Sequence, residues 1–330
     1  MSSGKSRLGD MDAKMVFGET MAHIASHDPS LTVVVSDYGR RLNLDEMRRR
    51  LPEAFVQCGI AEQSQLEVAA ALANEGFHVV APSYATFITA RVLDQVRVLL
   101  GMMKSPVVLV GLSAGCEAGT LGASHMALED IACMRTLPGM TVVCPADNVE
   151  LAAVLEELMR SPRPAYVRIS QYSCDTCVHE EGVRAQIGRA EVLREADGAN
   201  VTLLSTGLLT GECLKAARLL SSQGLEARVI EFATVKPLDT AMLDSLLGTS
   251  LAVTVEDHGA CGGFGSAVAE YLAGVAGAPR VVRLGMPDEY LAADTPMRLL
   301  QEAGLTAQGI AQRVSKECVT GDAATTATVA

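Results

Sequence analysis

The sequence predicts an α/β protein built as two consecutive three-layer α/β/α domains, and three observations carry that prediction. Short β-branched runs alternate with helical patterns along most of the 330 residues, the signature of parallel sheets wrapped by helices. Runs such as Thr32-Val-Val-Val and Val107-Val-Leu-Val are near-continuously apolar, as strands buried on both faces must be. The composition is 49% hydrophobic and 20% charged, with 4% aromatics and no Trp. That supplies the Ala, Val, Leu and Gly of such layers and excludes a disordered chain.

The first domain is expected over 12–180. Its strands are predicted at 31–36, 77–81, 107–110, 140–143 and 165–169, with helices at 11–26, 62–75, 86–103, 127–135 and 149–160. The pattern then pauses. Residues 171–184 are polar, with Cys, Asp, His and Glu, and read as a linker, where domain boundaries usually fall. A second series follows over 186–318, with strands at 201–205, 227–231, 251–255 and 280–284. Residues 1–11 and 319–330 read as flexible tails.

Charge and segment patterns exclude several function classes. Lys and Arg total 27 against 39 Asp and Glu, a formal net charge of −12. An acidic chain lacks the basic patches that nucleic acid or an anionic membrane requires. No apolar run approaches the ~18 residues of a membrane span, and the first 15 residues hold no apolar core of a signal peptide. A cytoplasmic globular protein is expected. The nine cysteines, an odd number without repeating spacing, read as reduced. Cys174 and Cys177 form one CxxC with His179 nearby, one ligand short of a zinc set. Two unpaired thiols in a loop is the reading favoured there.

Three local features suggest chemistry. Gly59 allows a sharp turn before Glu62, an acid in the first helical turn, where the dipole favours a carboxylate by about 0.3–1 kcal/mol. The helix that follows is Ala-rich and apolar, so Glu62 opens a largely buried element. His125 lies in a Gly-rich loop after the strand at 107–110, at the strand end where open parallel sheets place catalytic loops. Tyr84 and Phe87 read as core aromatics on pattern alone. The glycines between Gly259 and Gly265 follow a strand and open a helix near Ser266. They admit a phosphate cradle, although tight packing is the favoured reason for them. Neither GxGxxG nor a P-loop is present.

Together, these pieces resemble a known family. Gly59-Ile-Ala-Glu-Gln63, Tyr84-Ala-Thr-Phe87, Asp94-Gln-Val-Arg97, Gly122-Ala-Ser-His-Met-Ala-Leu-Glu-Asp130, Arg135-Thr-Leu-Pro138 and Pro145-Ala-Asp147 occur in that order. Val235-Lys-Pro-Leu-Asp239, Thr254-Val-Glu-Asp-His258, Gly262-Gly-Phe-Gly-Ser266 and Arg283-Leu-Gly-Met-Pro-Asp288 follow. The ordered set is similar to the second half of transketolase and covers roughly 12–318.

The resemblance implies a pyrimidine-binding domain followed by a transketolase C-terminal domain, with thiamine diphosphate as cofactor. Glu62 is expected at N1′ of the aminopyrimidine, where a carboxyl withdrawn from water can share the proton that leads to the ylid. Phe87 is expected to stack on the pyrimidine, with Tyr84 and Ile60 beside it. His125 would face the reacting carbonyl and donate to a developing oxyanion. On the same resemblance the diphosphate-binding half is expected on a separate chain, since this sequence has no Gly-Asp-Gly. Mg²⁺ is therefore expected on a partner's ligands, with none from this chain. The resemblance implies the small subunit of a split enzyme, paired with a diphosphate-binding subunit as α2β2 and acting on ketose- or aldose-type substrates.

Four positions depart from the family pattern. Ser113 stands where a sugar-binding His is usual, and Leu121 where an Asp bonds a donor hydroxyl. Gln171 stands where an Arg clamps phosphate, and Arg41 lies near the place of a phosphate-end Ser. These changes imply a non-standard substrate. The alternatives are a β-type subunit of a 2-oxo-acid dehydrogenase, deoxyxylulose-phosphate synthase chemistry, and an inactive binding or regulatory subunit.

Overall fold

The computed structural model describes residues 8–37, 42–170, 177–196 and 198–326, with side chains to 319. The chain builds a seven-stranded and a five-stranded sheet. Its strands are β1 (Leu31–Val35), β2 (Phe55–Gln57), β3 (His78–Tyr84), β4 (Val107–Leu112), β5 (Thr141–Val143), β6 (Ala165–Arg168), β7 (Glu191–Arg194), β8 (Val201–Ser205), β9 (Ala227–Glu231), β10 (Thr234–Lys236), β11 (Leu251–Gly259) and β12 (Arg280–Met286). The first sheet runs β10-β5-β6-β4-β3-β1-β2, and the second runs β12-β11-β8-β9-β7. Pairing is parallel except at two edges, where β10 meets β5 and β7 meets β9 antiparallel.

The apolar runs explain the layers. All five residues of β1 and all six of β4 are buried. Successive side chains point to opposite faces of a strand. Val33, Val35, Val108 and Val110 accordingly join Phe17, Met21 and Leu155 on one face. Val34, Val107 and Leu109 join Leu66 and Ile88 on the other. That second core continues without a break into Ile230, Phe232 and Phe264 of the second half. The Phe232 and Phe264 rings lie 5.3 Å apart. A third cluster covers the far face of the second sheet, with Leu203, Val229, Val253 and Val314.

The segment at 86–103 is not the continuous helix its periodicity predicts. It divides into a short helix Ala85–Ile88, a 3-10 turn Ala90–Val92, a turn Leu93–Gln95 and a π-helical stretch Val96–Met102. Buried Thr89 is the cause: its hydroxyl donates back to the Ala85 carbonyl at 2.6 Å, and its ψ is −86°. Such back-bonding competes with the helical ladder. The helix predicted from 127 begins at Asp130, because Gly115 and Ala127 pair as an antiparallel bridge that closes the loop between them. Three short strands, β2, β7 and β10, carry no sequence pattern long enough to announce them. The last helix runs Ala307–Thr326. Among the described residues no helix is long and apolar enough to cross a membrane.

The Gly259–Gly265 turn is packed rather than open. A Cβ on Gly263 would lie 2.1 Å from Glu256 Oε2. The N-terminus of helix Phe264–Leu272 already has its anion: Glu256 accepts the N–H groups of Phe264 and Gly265 at 2.6 and 2.8 Å. Burial pushes the Glu256 carboxyl up, against the opposing pull of His258 and those two N–H groups. A phosphate has no place left there. Cys58, Cys133, Cys144, Cys177, Cys213 and Cys261 are free thiols, and Cys174 lies outside the described residues.

Candidate functional site

Four neighbouring strands of the first sheet, β4-β3-β1-β2, end at a common edge, and the predicted site residues follow them. Helix Glu62–Asn74 starts after β2, Tyr84 closes β3 and Phe87 sits one turn beyond it. His125 lies in the loop after β4. Ligand sites in open α/β sheets form at such carboxyl ends.

Glu62 is 5% exposed and lies in the first turn of its helix. Gly59 makes the turn before it with φ +78°, a region glycine enters without penalty. The helix is tied to the sheet by Gln65, whose Nε2 donates to the carbonyls of Val34 and Pro82 at 2.8 and 3.0 Å. Buried Gln65 Oε1 has no hydrogen-bond partner. Tyr84, Phe87 and His125 form a ring trio: centroids are 5.5 Å apart for Tyr84–Phe87, 5.4 Å for Tyr84–His125 and 5.3 Å for Phe87–His125. Edge-to-face geometry of this kind stabilises aromatic clusters. The Ser124 hydroxyl lies 3.0 Å from His125 Nδ1.

Arg91 is the residue that sequence reasoning missed. Its Nη1 donates to Glu62 Oε2 at 3.1 Å, and its guanidinium carbon stands 3.8 Å over the Phe87 ring. One side chain therefore links the carboxylate to the aromatic trio by an ion pair and a cation–π contact. Helical spacing gave no signal for it, since the break at Thr89 lies between Phe87 and Arg91.

The remaining candidates divide. Ile60 and Leu121 are exposed, at 76% and 54%. Ser113 is buried with φ +52°. Its hydroxyl donates to Glu117 Oε1 at 3.0 Å, an oxygen that also takes Lys14 Nζ at 2.7 Å. The structure thus ties Ser113 into its own scaffold. Arg41 and Gln171 lie outside the described residues.

A second constellation occupies the same sheet edge beside β6. Arg168 is 2% exposed and donates through Nε to Asp130 Oδ2 at 2.8 Å and through Nη1 to Asp257 Oδ1. Its Nη2 reaches the carbonyls of Ala127 and Asp257 at 3.3 and 3.2 Å. The Tyr166 hydroxyl donates to Asp130 Oδ2 at 2.6 Å. Burial and the Asp130 charge push that phenol well above its usual range, so it remains a donor. Gly111 makes room, since a Cβ there would meet Tyr166 Oη at 2.2 Å. His258 accepts the Ala132 N–H on Nε2 at 3.3 Å, while Nδ1 lies 2.8 Å from the Gly259 carbonyl. Asp257 and His258 come from β11, so this cluster joins the two sheets. A charged residue ending the otherwise apolar β6 was the sequence signal for it.

Comparison with known proteins agrees with this architecture. The transketolase pyrimidine-binding domain model matches residues 10–174, and the transketolase C-terminal domain model matches 188–310. The chain is 32% identical over 302 residues to a putative transketolase C-terminal section of Methanocaldococcus jannaschii, covering 91% of this chain and 94% of that one. It is 32% identical over 295 residues to one subunit of the apulose-4-phosphate transketolase of Phocaeicola vulgatus, covering 89% and 93%. A solved split-gene transketolase, described as an inactive beta4 tetramer, superposes with TM-score 0.84 at 33% identity, covering 92% and 97%. Against the 1-deoxy-D-xylulose-5-phosphate synthase of Symbiobacterium thermophilum the identity is 34%, with 95% of this chain covering 48% of that enzyme. With matched domain models over most of its length and relatives of its own size, the chain belongs to the transketolase family, as a pyrimidine-binding domain joined to a transketolase C-terminal domain.

Proposed function

We propose that this chain is the C-terminal subunit of a split, thiamine-diphosphate-dependent transketolase-like enzyme, with 12–180 and 186–318 as its domains. It transfers a two-carbon ketol (or related acyl-anion) unit and works with a separate diphosphate-binding subunit, as α2β2. The observation that carries this reading is the gathering of Glu62, Tyr84, Phe87 and His125 at one sheet edge. Relatives of the same length, one of them named as a single subunit of a transketolase, support the split.

The donor set fits the ring end of the cofactor. A buried carboxylate beside aromatic faces suits a flat heteroaromatic ring with a nitrogen to protonate. Bound there, thiamine diphosphate supplies a carbon centre that carries acyl-anion character. Glu62 holds the proton at the ring nitrogen, and Arg91 fixes the Glu62 carboxylate by its contact with Oε2. Phe87 offers a ring face for stacking, with Tyr84 and Ile60 beside it. With His125 Nδ1 engaged by Ser124, Nε2 is the atom assigned to donate to the substrate oxygen. Diphosphate and Mg²⁺ ligands are assigned to the partner.

Substrate choice departs from the pentose phosphates. Leu121 presents an apolar side chain where a hydroxyl partner is usual, and the Ser113 hydroxyl is spent on Glu117. Sites that lack a hydroxyl's partner do not select for it. The test is reconstitution with the diphosphate-binding subunit and turnover on ketose donors. Ketol transfer is expected only from the complex, with kcat/KM for xylulose 5-phosphate and ribose 5-phosphate below about 10⁴ M⁻¹s⁻¹. Values above that would return the enzyme to ordinary pentose phosphates, and an inactive complex on every donor would favour a binding role. The half-length match to the synthases makes pyruvate with glyceraldehyde 3-phosphate the second substrate pair to try.

A further inference from the structure

The polar segment between the two sheets does not lie in solvent as its composition predicts. His179 is buried, in a cluster drawn from both halves of the chain. Its Nε2 lies 3.2 Å from Glu231 Oε2, at the end of β9, and 3.6 Å from Glu191 Oε2 in β7. Glu150, in the first turn of helix Asn148–Arg160, completes a buried trio. The ligand-type atoms of Glu150, His179 and Glu231 all lie within 4.8 Å of one another. They border a cavity of about 400 Å³, also lined by Arg184, Arg189 and Glu191.

Hydrogen bonding satisfies only part of this cluster: Glu150 Oε2 accepts the Ala146 N–H at 2.8 Å. Glu231 is 1% exposed, yet neither carboxylate oxygen has a hydrogen-bond partner. The 3.2 Å approach of His179 Nε2 falls outside hydrogen-bond geometry. Two buried carboxylates, Glu150 and Glu231, face one imidazole here, and buried negative charge in excess of its partners is strongly unfavourable unless a further cation offsets it.

We propose that Glu150, His179 and Glu231 bind one first-row divalent cation of the zinc type, with a fourth position open to the cavity. Metal–ligand bonds of about 2.0–2.1 Å in a tetrahedral site put neighbouring donor atoms about 3.3 Å apart. The observed Nε2–Oε2 separation of 3.2 Å matches that spacing. Metal-binding histidines are oriented by a carboxylate on their other nitrogen. Here Asp147 Oδ2 lies 3.1 Å from His179 Nδ1 and accepts the N–H groups of Val178 and His179, both at 2.8 Å. Asp147 Oδ1 meanwhile caps the helix through the Glu150 N–H at 2.9 Å. Imidazole and carboxylate together suit zinc-like ions. The adjacent thiol is not a ligand, since Cys177 Sγ contacts Asp147 Oδ2 and the His179 carbonyl. An ion at this point pins the linker, the second sheet and a helix of the first sheet to one another.

Metal content tests this independently of turnover. The full chain is stripped with a chelator, reloaded with Zn²⁺ or Co²⁺, and examined by elemental analysis, by the visible spectrum of the Co²⁺ form and by thermal unfolding. One equivalent is expected, with a tetrahedral Co²⁺ spectrum and a Tm that climbs with the logarithm of free zinc. Glu231→Gln and His179→Gln should lose the ion. Asp147→Asn keeps all three ligands and should weaken binding about 10–100-fold, which keeps the test valid if a ligand variant fails to fold. Cys177→Ser should bind as the parent does. Absence of stoichiometric metal, or metal that leaves with Cys177→Ser and stays in Glu231→Gln, overturns the proposal.

Discussion

One edge of the first sheet carries two polar constellations with opposite outcomes. Beside β6, Arg168 sits between Asp130 and Asp257, and the second half of the chain closes over it. Beside β1 to β4, buried Glu62 meets the half-buried ring trio through Arg91, which is exposed, as are Ile60 and Leu121. The same backbone frame thus produces a finished seam in one place and an unfinished surface in the other. What separates them is whether this chain brings the complementary groups. β11 delivers Asp257 to Arg168, whereas in the described residues no element folds over the ring trio to the same degree. A buried charge that has all its partners holds the domains together. A carboxylate held by one exposed arginine beside half-buried rings leaves its edge of the sheet accessible.

The largest difference between the two regions should appear on substituting their charges. On the proposed function, Glu62→Gln removes the carboxyl assigned to hold the ring proton and should slow exchange of the cofactor C2 proton in the assembled complex by about 10²–10⁴-fold, the range for lost acid–base catalysis. Assembly should survive, because the amide keeps the size and shape of the carboxyl it replaces. Exchange at the parent rate would take Glu62 out of the chemistry. Arg168→Met should do the reverse. Removing the guanidinium leaves two buried carboxylates facing each other, a loss of about 3–5 kcal/mol, read from the denaturant midpoint of the purified chain. Stability within about 0.5 kcal/mol of the parent would mean that the seam does not depend on this ion pair.

The contrast also explains what could be read from the sequence. Apolar runs such as those of β1 and β4 announce strands because burial on both faces leaves no room for polar residues. The Gly59-to-Gln63 and Gly122-to-Asp130 strings survive as legible motifs because each combines a backbone turn with a chemical group. The break at Thr89 was not legible, since one hydroxyl bonded to Ala85 overrides the helical period of its neighbours. His179 was hidden for a different reason. Its partners Asp147, Glu150 and Glu231 are distant in sequence, and a polar stretch reads as solvated until the fold shows two sheets closing on it. Arg91 and Arg168 share that difficulty, because a charge's role depends on what lies across a packed interface rather than on its neighbours in the chain. The substrate-side expectations at Arg41 and Gln171 fall outside the described residues.

The central claim is that this chain supplies only the ring-binding half of a cofactor site. Calorimetric titration of thiamine diphosphate with Mg²⁺, into the chain alone and into its complex with the diphosphate-binding subunit, tests it most directly. Charge-assisted bonds contribute about 1.5–3 kcal/mol each, so losing two of them at the diphosphate weakens binding by on the order of 100-fold or more. The account predicts that deficit for the chain alone and its recovery in the complex. A tight, Mg²⁺-dependent site on the isolated chain would contradict it.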